Sequence, residues 1–278
     1  MKPAPFTYHR ATSAREAVDM LASASGDASV LAGGQSLVPL MNFRVAQPAH
    51  LVDINYVDEL DYIRVDDGWL AIGARTRQSA VEHSEEVARA APLMSEAMRS
   101  VAHPPVRHRG TVVGSVVHAD PAAELPAVLL ALDGEVVIQG PSGERRVAAA
   151  DFFTGPLMTA KEAGDLVTEI RVPAANGNGS GSYALVEFSR RHADFAVAGA
   201  AVSGGAVALF GVADTPVRAA AAEQLLAGDS GAAAEDVAAA ATDGLKPVSD
   251  VHGAADYRRG VARACVERAL RRARGEAA

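Results

Sequence analysis

The sequence predicts an α+β protein in three parts, and three observations support that prediction. In the first ~55 residues, helix and strand patterns alternate around a glycine turn, as in a β-α-β unit. From Leu60 the pattern changes to short strands joined by hairpin signals such as Asp66-Asp67-Gly68. Residues 176–182 contain only Asn, Gly and Ser and indicate a linker or a long exposed loop. We therefore predict two α/β subdomains, residues 1–56 and 57–175, and a C-terminal α+β domain, residues 176–278, with a small antiparallel sheet and helices.

The first subdomain is predicted to open with a helix. Ser13 and Glu16 have the spacing of a capping box, in which each side chain accepts from a free amide of the first turn. Apolar residues then recur at helical spacing up to Leu21, and Gly26 ends the pattern. A strand at 30–32, a turn at 33–36, a short helix at 37–44 and a strand at 51–54 complete the subdomain.

The second and third parts contain shorter elements. In the second part the patterns predict strands at 63–65, 69–72, 111–117, 135–139, 144–147 and 166–172, and helices at 81–90, 92–102 and 121–132. Pro104-Pro105 is predicted to end the second of these helices. In the third part they predict strands at 183–189, 196–203 and 206–212, and helices at 218–227, 233–242 and 257–274.

Composition excludes several classes of protein. The 278 residues include 26 Lys+Arg and 34 Asp+Glu, a formal net charge of −8, which argues against a nucleic-acid partner. With 49% apolar and 22% charged residues, the chain has the balance of a globular protein. Its apolar runs are far shorter than the ~20 residues of a transmembrane helix. Residues 1–7 lack the apolar core of a secretory signal, so we expect no transmembrane segment and a cytoplasmic location.

The chain has one cysteine, Cys265. One thiol makes no internal disulfide and supplies too few ligands for an iron–sulfur cluster or a structural zinc site. Cys265 lies among apolar residues at helical spacing, which favours a small core side chain over a reactive thiol. A redox centre in this protein would therefore be organic or lie on another chain.

Two similar loops are predicted at strand ends. They are Ala32-Gly33-Gly34-Gln35-Ser36 and Thr111-Val112-Val113-Gly114-Ser115. Glycine lets successive backbone amides converge on an anion, and a hydroxyl side chain adds an uncharged donor. One such loop is more often a plain tight turn, but two together can hold the pyrophosphate of a dinucleotide from both sides.

His118, Asp120 and Glu124 follow the second loop. Such a trio suits a metal or acid–base site, but the chain offers no second cluster to complete it. Alternatively, Asp120 caps a helix that starts at Pro121. A third possibility is that Asp120 accepts a hydrogen bond from a ribose or ribityl hydroxyl.

These loops, together with several further motifs, resemble a known family along essentially the whole chain. The family is that of the FAD-binding medium subunits of molybdenum hydroxylases, such as aerobic carbon monoxide dehydrogenase and the flavin portion of xanthine dehydrogenase. The matching segments are residues 31–39, 109–115, 118–124, 152–156, 168–173, 190–196, 214–219 and 257–259.

The resemblance implies a vanillyl-alcohol-oxidase (PCMH) type fold, with FAD between the first two subdomains and the third closing over it. It implies that backbone amides of both loops bind the pyrophosphate, that Asp120 binds the sugar or ribityl side, and that Leu166 and Phe195 lie near the flavin. It assigns no catalytic side chain and no metal ligand. The FAD-binding residues it implies are Ala32, Gly33, Gly34, Gln35, Ser36, Leu37, Thr111, Val113, Gly114, Ser115, His118, Asp120, Leu166 and Phe195.

Two positions depart from the family pattern. Val113 stands where the family usually has the first of two glycines. Because a β-branched residue resists positive φ, we expect this loop to approach FAD less closely. Phe195 stands where the family often has Tyr, so it can stack on the flavin but lacks the hydroxyl.

The resemblance also implies a role in electron transfer. In the family, a molybdenum-cofactor large subunit hydroxylates the substrate, a 2Fe-2S small subunit relays electrons, and FAD passes them to an external acceptor. We expect the same partners here, in a dimer of heterotrimers. Two alternatives are a free-standing flavoenzyme that acts directly on a small metabolite, and a structural subunit that has lost FAD.

Overall fold

The computed structural model describes residues 1–24, 26–175 and 182–276. The N-terminal part is a three-stranded parallel sheet of order β1-β3-β2 with two helices. Its elements are β1 (Thr7–Arg10), α1 (Ala14–Ser23), β2 (Ala28–Leu31), α2 (Leu37–Asn42) and β3 (His50–Asp53). The Ser13 side chain caps α1 by accepting from the Glu16 amide, 3.1 Å, as predicted. Strand β1 was not predicted from the sequence, because its four residues carry no apolar alternation.

A five-stranded antiparallel sheet of order β4-β5-β10-β6-β7 forms the second part. Its strands are β4 (Ile63–Asp66), β5 (Trp69–Gly73), β6 (Glu135–Gly140), β7 (Gly143–Ala148) and β10 (Leu166–Pro173), and β8 (Phe153–Gly155) pairs with β9 (Met158–Thr159). Its helices are α3 (Gln78–Glu82), α4 (Glu85–Ala90), α5 (Pro92–Ala97), α6 (Pro104–Arg107), α7 (Val112–His118), α8 (Glu124–Ala131) and α9 (Ala149–Phe152), with a 3₁₀ turn at Asp58–Leu60.

The C-terminal part is a four-stranded antiparallel sheet backed by helices. Its elements are β11 (Tyr183–Phe188), β12 (Ala198–Ser203), β13 (Ala206–Phe210), β14 (Val217–Arg218), α10 (Ala220–Gly228), α11 (Ala234–Thr242) and α12 (Ala255–Ala273). Cys265 lies on α12, only 3% exposed, in the core between that helix and the sheet. Burial raises the pKa of its thiol to about 11, as expected of a core side chain.

The predicted α+β class is confirmed, but four local predictions are wrong. Residues 112–118 form helix α7 and are not extended, because Thr111 caps them. Helix α8 begins at Glu124 and not at Pro121, so Asp120 is not its cap. The helix predicted at 81–90 is two helices, divided where the Ser84 side chain caps α4. The helix predicted at 92–102 ends at Ala97, and Pro104 begins the short helix α6.

The three sheets share much of their packing. One apolar core runs through the first two parts and takes in side chains of the third, including fully buried Phe210. Across the same junction the Gly211 amide donates to the Pro121 carbonyl, 2.7 Å. The predicted linker at 176–181 lies outside the described residues, and the limits 1–56, 57–175 and 176–278 stay a prediction. No helix among the described residues is both long and apolar enough to cross a membrane.

The Gly199–Phe210 pair provides a test of this packing. The two residues are partners across β12 and β13, and a Cβ on Gly199 would overlap the buried Phe210 ring. We expect Gly199→Ala to lower the free energy of unfolding by ~1–3 kcal/mol, because the ring would have to move within a packed core. Urea denaturation measures the change.

The matched control is Gly260→Ala in the interior of α12. A Cβ there meets open space, so this substitution should raise the free energy of unfolding by roughly 0.5–1 kcal/mol through helix propensity. Equal stability of the two variants would contradict the packing described here.

Candidate functional site

A cavity of about 560 Å³ lies where the three parts meet, within the usual range for cofactor sites. All fourteen residues that the resemblance implied lie in its wall, although they come from distant parts of the sequence. Their contacts with FAD stay predictions. These residues are Ala32, Gly33, Gly34, Gln35, Ser36, Leu37, Thr111, Val113, Gly114, Ser115, His118, Asp120, Leu166 and Phe195.

The first loop leaves β2 and enters α2. Gly34 takes a φ of +73°, which favours glycine and turns the chain. Within the described residues, the N–H groups of 33–36 have no backbone acceptor, so they remain available to an anion in the cavity. A Cβ on Gly33 would collide with the Arg109 carbonyl oxygen and lie 2.7 Å from the Gly110 Cα. Glycine at 33 therefore lets the two loops touch.

The second loop is the capped start of α7. Thr111 Oγ1 accepts from the Gly114 amide, 3.0 Å, and a Cβ on Gly114 would come within 2.6 Å of that oxygen. The cap therefore favours glycine at 114. Val113 is helical and buried and does not have positive φ, so the expected strain from its branched side chain is absent. Strain at Val113 was expected for an extended loop. The segment is helical instead, and a helix accommodates valine at negative φ.

Acidic groups flank the C-terminal end of α7. Asp120 Oδ1 accepts from the Ala122 amide, 2.8 Å, in a turn that leads towards α8. Glu124 is only 7% exposed, and burial, assisted by the charge of Asp120, raises its pKa to about 7. Burial lowers the pKa of His118, which favours its neutral form. Among the described residues, no three His, Cys, Asp or Glu side chains form a group that could hold a metal.

Lys161, Asp165 and Leu166 lie in another part of the wall. Burial lowers the pKa of the Lys161 ammonium, with the nearby Asp165 charge opposing the shift. Burial acts to raise the pKa of Asp165, but hydrogen bonds from Arg145, at 2.6 and 3.1 Å, and from the Glu162 amide hold it below its usual value. The carboxylate beside Leu166 is therefore fixed and charged.

Gln78 was not identified from the sequence. It lies in the cavity wall at 4% exposure, and its Oε1 has no hydrogen-bond partner among the described residues. A buried acceptor without a partner is unfavourable and suits a ligand that donates a hydrogen bond. Lys161 was also not identified from the sequence. Glu124 was considered there only as a member of the trio with His118 and Asp120, although an acidic residue at the head of the otherwise apolar helix α8 was a usable local signal. Gln78 and Lys161 carry no such local signal.

At the mouth, Phe195 projects from the C-terminal part and is 67% exposed. Its neighbour Ala193 has a φ of +67°, which turns the chain at the cavity edge. Apolar walls at Val101 and Val106, free amides in the first loop and an exposed aromatic ring together suit a dinucleotide that ends in a flat ring system. The residues present thus fit FAD.

Comparison with known proteins identifies the family of both regions of the chain. Residues 4–175 match the family described as the FAD binding domain in molybdopterin dehydrogenase, and residues 182–273 match the CO dehydrogenase flavoprotein C-terminal domain. The 6-hydroxypseudooxynicotine dehydrogenase complex subunit alpha of Paenarthrobacter nicotinovorans is 44% identical, over 98% of this chain and 96% of its own. The carbon monoxide dehydrogenase medium chain of Hydrogenophaga pseudoflava is 40% identical, over 97% of each chain.

A solved structure supports the fold directly. A chain in carbon monoxide dehydrogenase from Hydrogenophaga pseudoflava, lacking the Mo-pyranopterin moiety of its cofactor, superposes with a TM-score of 0.95 at 40% identity, covering 100% of both chains. The predicted PCMH-type fold and the FAD cofactor are thereby confirmed. This chain belongs to the family of FAD-binding medium subunits of molybdenum hydroxylases.

Proposed function

We propose that this subunit receives electrons from a 2Fe-2S partner and passes them through FAD to an external acceptor. One observation carries the proposal: the cavity offers amides and apolar side chains, while the single cysteine is buried away in the C-terminal core. The described residues therefore supply no thiolate set for an iron–sulfur relay, and we assign that relay to a partner. The relatives support this, since one is named as a subunit of a dehydrogenase complex and another as a medium chain.

In this proposal the protein binds and orients the cofactor. Amides of residues 33–36, together with the Thr111 and Val113 amides, have no backbone acceptor among the described residues and would hold the pyrophosphate. Asp120 would accept from a ribose or ribityl hydroxyl. Leu166 and Phe195 flank the ring system, and Gln78 Oε1 is available to a ring N–H. FAD supplies the exchange between one-electron and two-electron transfer.

The partners we propose are a molybdenum-cofactor large subunit and a 2Fe-2S small subunit, assembled as a dimer of heterotrimers. Exposed faces of the C-terminal part would contact them. The physiological acceptor is proposed only by class, as a small external oxidant. The cytoplasmic location stays a prediction.

Affinity purification of the tagged chain from its native host tests this function. We expect two further polypeptides to co-purify, one FAD per chain, and absorption bands on the order of 450 nm. Substrate of the large subunit should bleach these bands in the complex but not in the isolated chain. A lone chain whose flavin is reduced directly by a small metabolite would contradict the proposal and favour a free-standing flavoenzyme. A colourless chain that takes up no FAD would contradict both.

The contact between the loops provides a second test. Gly33→Ala introduces a methyl group where the Arg109–Gly110 backbone lies, so the loops must separate and FAD affinity should fall at least ~10-fold. Fluorescence quenching of added FAD by the cofactor-free protein measures this. Gly260→Ala, remote in α12, should retain wild-type affinity, and unchanged affinity of Gly33→Ala would show that the contact is dispensable.

The raised pKa of Glu124 predicts that the stability of the folded protein depends on pH. That pKa is raised from 4.5 to about 7, so the folded protein binds this proton more tightly than the unfolded chain. The resulting stability is fully present below pH ~4.5 and is lost as pH rises through ~7. We expect the thermal unfolding midpoint to decrease as the pH is raised from 6 to 8, by an amount equivalent to a loss of about 1–3 kcal/mol in the free energy of unfolding. Glu124→Gln should make this decrease with pH smaller.

Thermal unfolding of the cofactor-free protein across this pH range is the measurement. Glu187, whose pKa is raised to about 8 by burial and by the charge of Glu124, contributes in the same direction, so Glu187→Gln serves as a parallel variant. Glu85→Gln, at an exposed position on α4, is the control. A slope in Glu124→Gln equal to that of wild type would contradict this role of Glu124.

A further inference from the structure

Asn55 and Arg77 connect the two FAD loops from behind, although neither side chain is part of the cavity wall. Asn55 Nδ2 donates to the Ala32 carbonyl of the first loop, 2.9 Å, and to Asp53 Oδ1, 2.6 Å. Asn55 Oδ1 accepts from Arg77 Nη2, 2.6 Å, and Arg77 Nη1 donates to the Arg109 carbonyl that leads into the second loop. One continuous chain of hydrogen bonds therefore joins the loops.

The contact at Ala32 has a directional consequence for FAD. A trans peptide points its C=O and the following N–H in opposite directions. Because Asn55 holds the Ala32 carbonyl, it also fixes the direction of the Gly33 N–H, on the side away from Asn55. That N–H has no backbone acceptor among the described residues and belongs to the loop that lines the cavity.

The second arm acts on the backbone just before α7. Arg109 O, which Arg77 holds, is the atom that a Cβ on Gly33 would strike, so the clamp is fastened at the point where the loops touch. Two backbone hydrogen bonds align the same segments: the Gln78 amide donates to the Gly110 carbonyl, 2.9 Å, and the Val112 amide to the Thr76 carbonyl, 3.3 Å. Arg77 is half-buried, and its fork can reach two acceptors at once.

We propose that Asn55 and Arg77 are positioning residues for FAD, a clamp that holds the two pyrophosphate-binding loops at the separation the cofactor requires. They act through the Ala32 and Arg109 carbonyls and do not touch FAD. A clamp of this kind works only when both arms are in place. Loss of either arm should therefore weaken FAD binding about as much as loss of both.

The experiment measures dissociation constants of FAD and of ADP, a probe for the pyrophosphate end, with cofactor-free Asn55→Ala, Arg77→Met and the double variant. We expect each single variant to weaken both ligands about 10- to 100-fold, the range for loss of a hydrogen bond that involves a charged group, as the Asn55–Arg77 contact does. The double variant should be no more than ~3-fold weaker than the weaker single variant. Independent, multiplying effects would overturn the clamp.

Two further variants separate geometry from charge. Arg77→Lys keeps the charge but lacks the forked guanidinium, so its FAD affinity should remain as weak as that of Arg77→Met. Recovery of affinity would show that only the charge matters and would overturn the clamp.

Arg75→Met removes a neighbouring charge whose partners are Asp58, Asp61 and the Asn55 carbonyl. It should weaken FAD less than ~3-fold, and a loss equal to that of Arg77→Met would also overturn the proposal. Unchanged unfolding midpoints of the cofactor-free variants will exclude general misfolding. Gly199→Ala, where the added Cβ meets Phe210 and neither loop, should retain its ADP affinity.

Discussion

The site depends on one steric constraint, the close approach of Gly33 to the Arg109–Gly110 backbone. No side chain fits between these segments, so the first loop and the segment leading into α7 meet main chain to main chain. Each belongs to a different part of the fold, and the cavity exists only because both are in place. Cofactor binding is therefore a property of the junction between the first two sheets and not of either one.

The electrostatics of the cavity agree with a binding and positioning role. The first loop offers neutral amides. The wall also contains Glu124 and His118, whose charged forms are disfavoured by burial. In the proposed binding mode, a chain of net charge −8 binds an anionic dinucleotide through local dipoles, which act at short range and are little affected by the overall charge. Arg77, held behind the loops, adds positive charge without occupying the space of the ligand.

Local sequence was enough to predict the α+β class, because glycine turns and hydrophobic spacing encode backbone shape over a few residues. The fourteen wall residues were implied by the resemblance to a known family and not by local sequence alone. Other features depend on contacts between distant segments. Gln78 Oε1, which has no hydrogen-bond partner among the described residues, lies beside Gly110, 32 residues further along, where a Cβ would come within 2.6 Å of it. The segment 112–118 was predicted as a strand because its four valines favour that conformation, whereas the Thr111 cap and burial against the core make it a helix.

Because the loops come from separate sheets, stability and cofactor affinity are coupled. A ligand that binds only the folded state stabilises it by about 4 kcal/mol at a thousand times its dissociation constant. FAD would therefore reinforce the junction that forms its own site, and a change at that junction would appear twice in the loaded protein, once as lost packing and once as lost ligand binding. Unfolding measurements on the cofactor-free chain separate the two effects. A packing defect still lowers the free energy of unfolding there, whereas a defect in loop position that acts only through ligand binding does not. The distinction matters most for Asn55 and Arg77, which contact main chain alone in both loops.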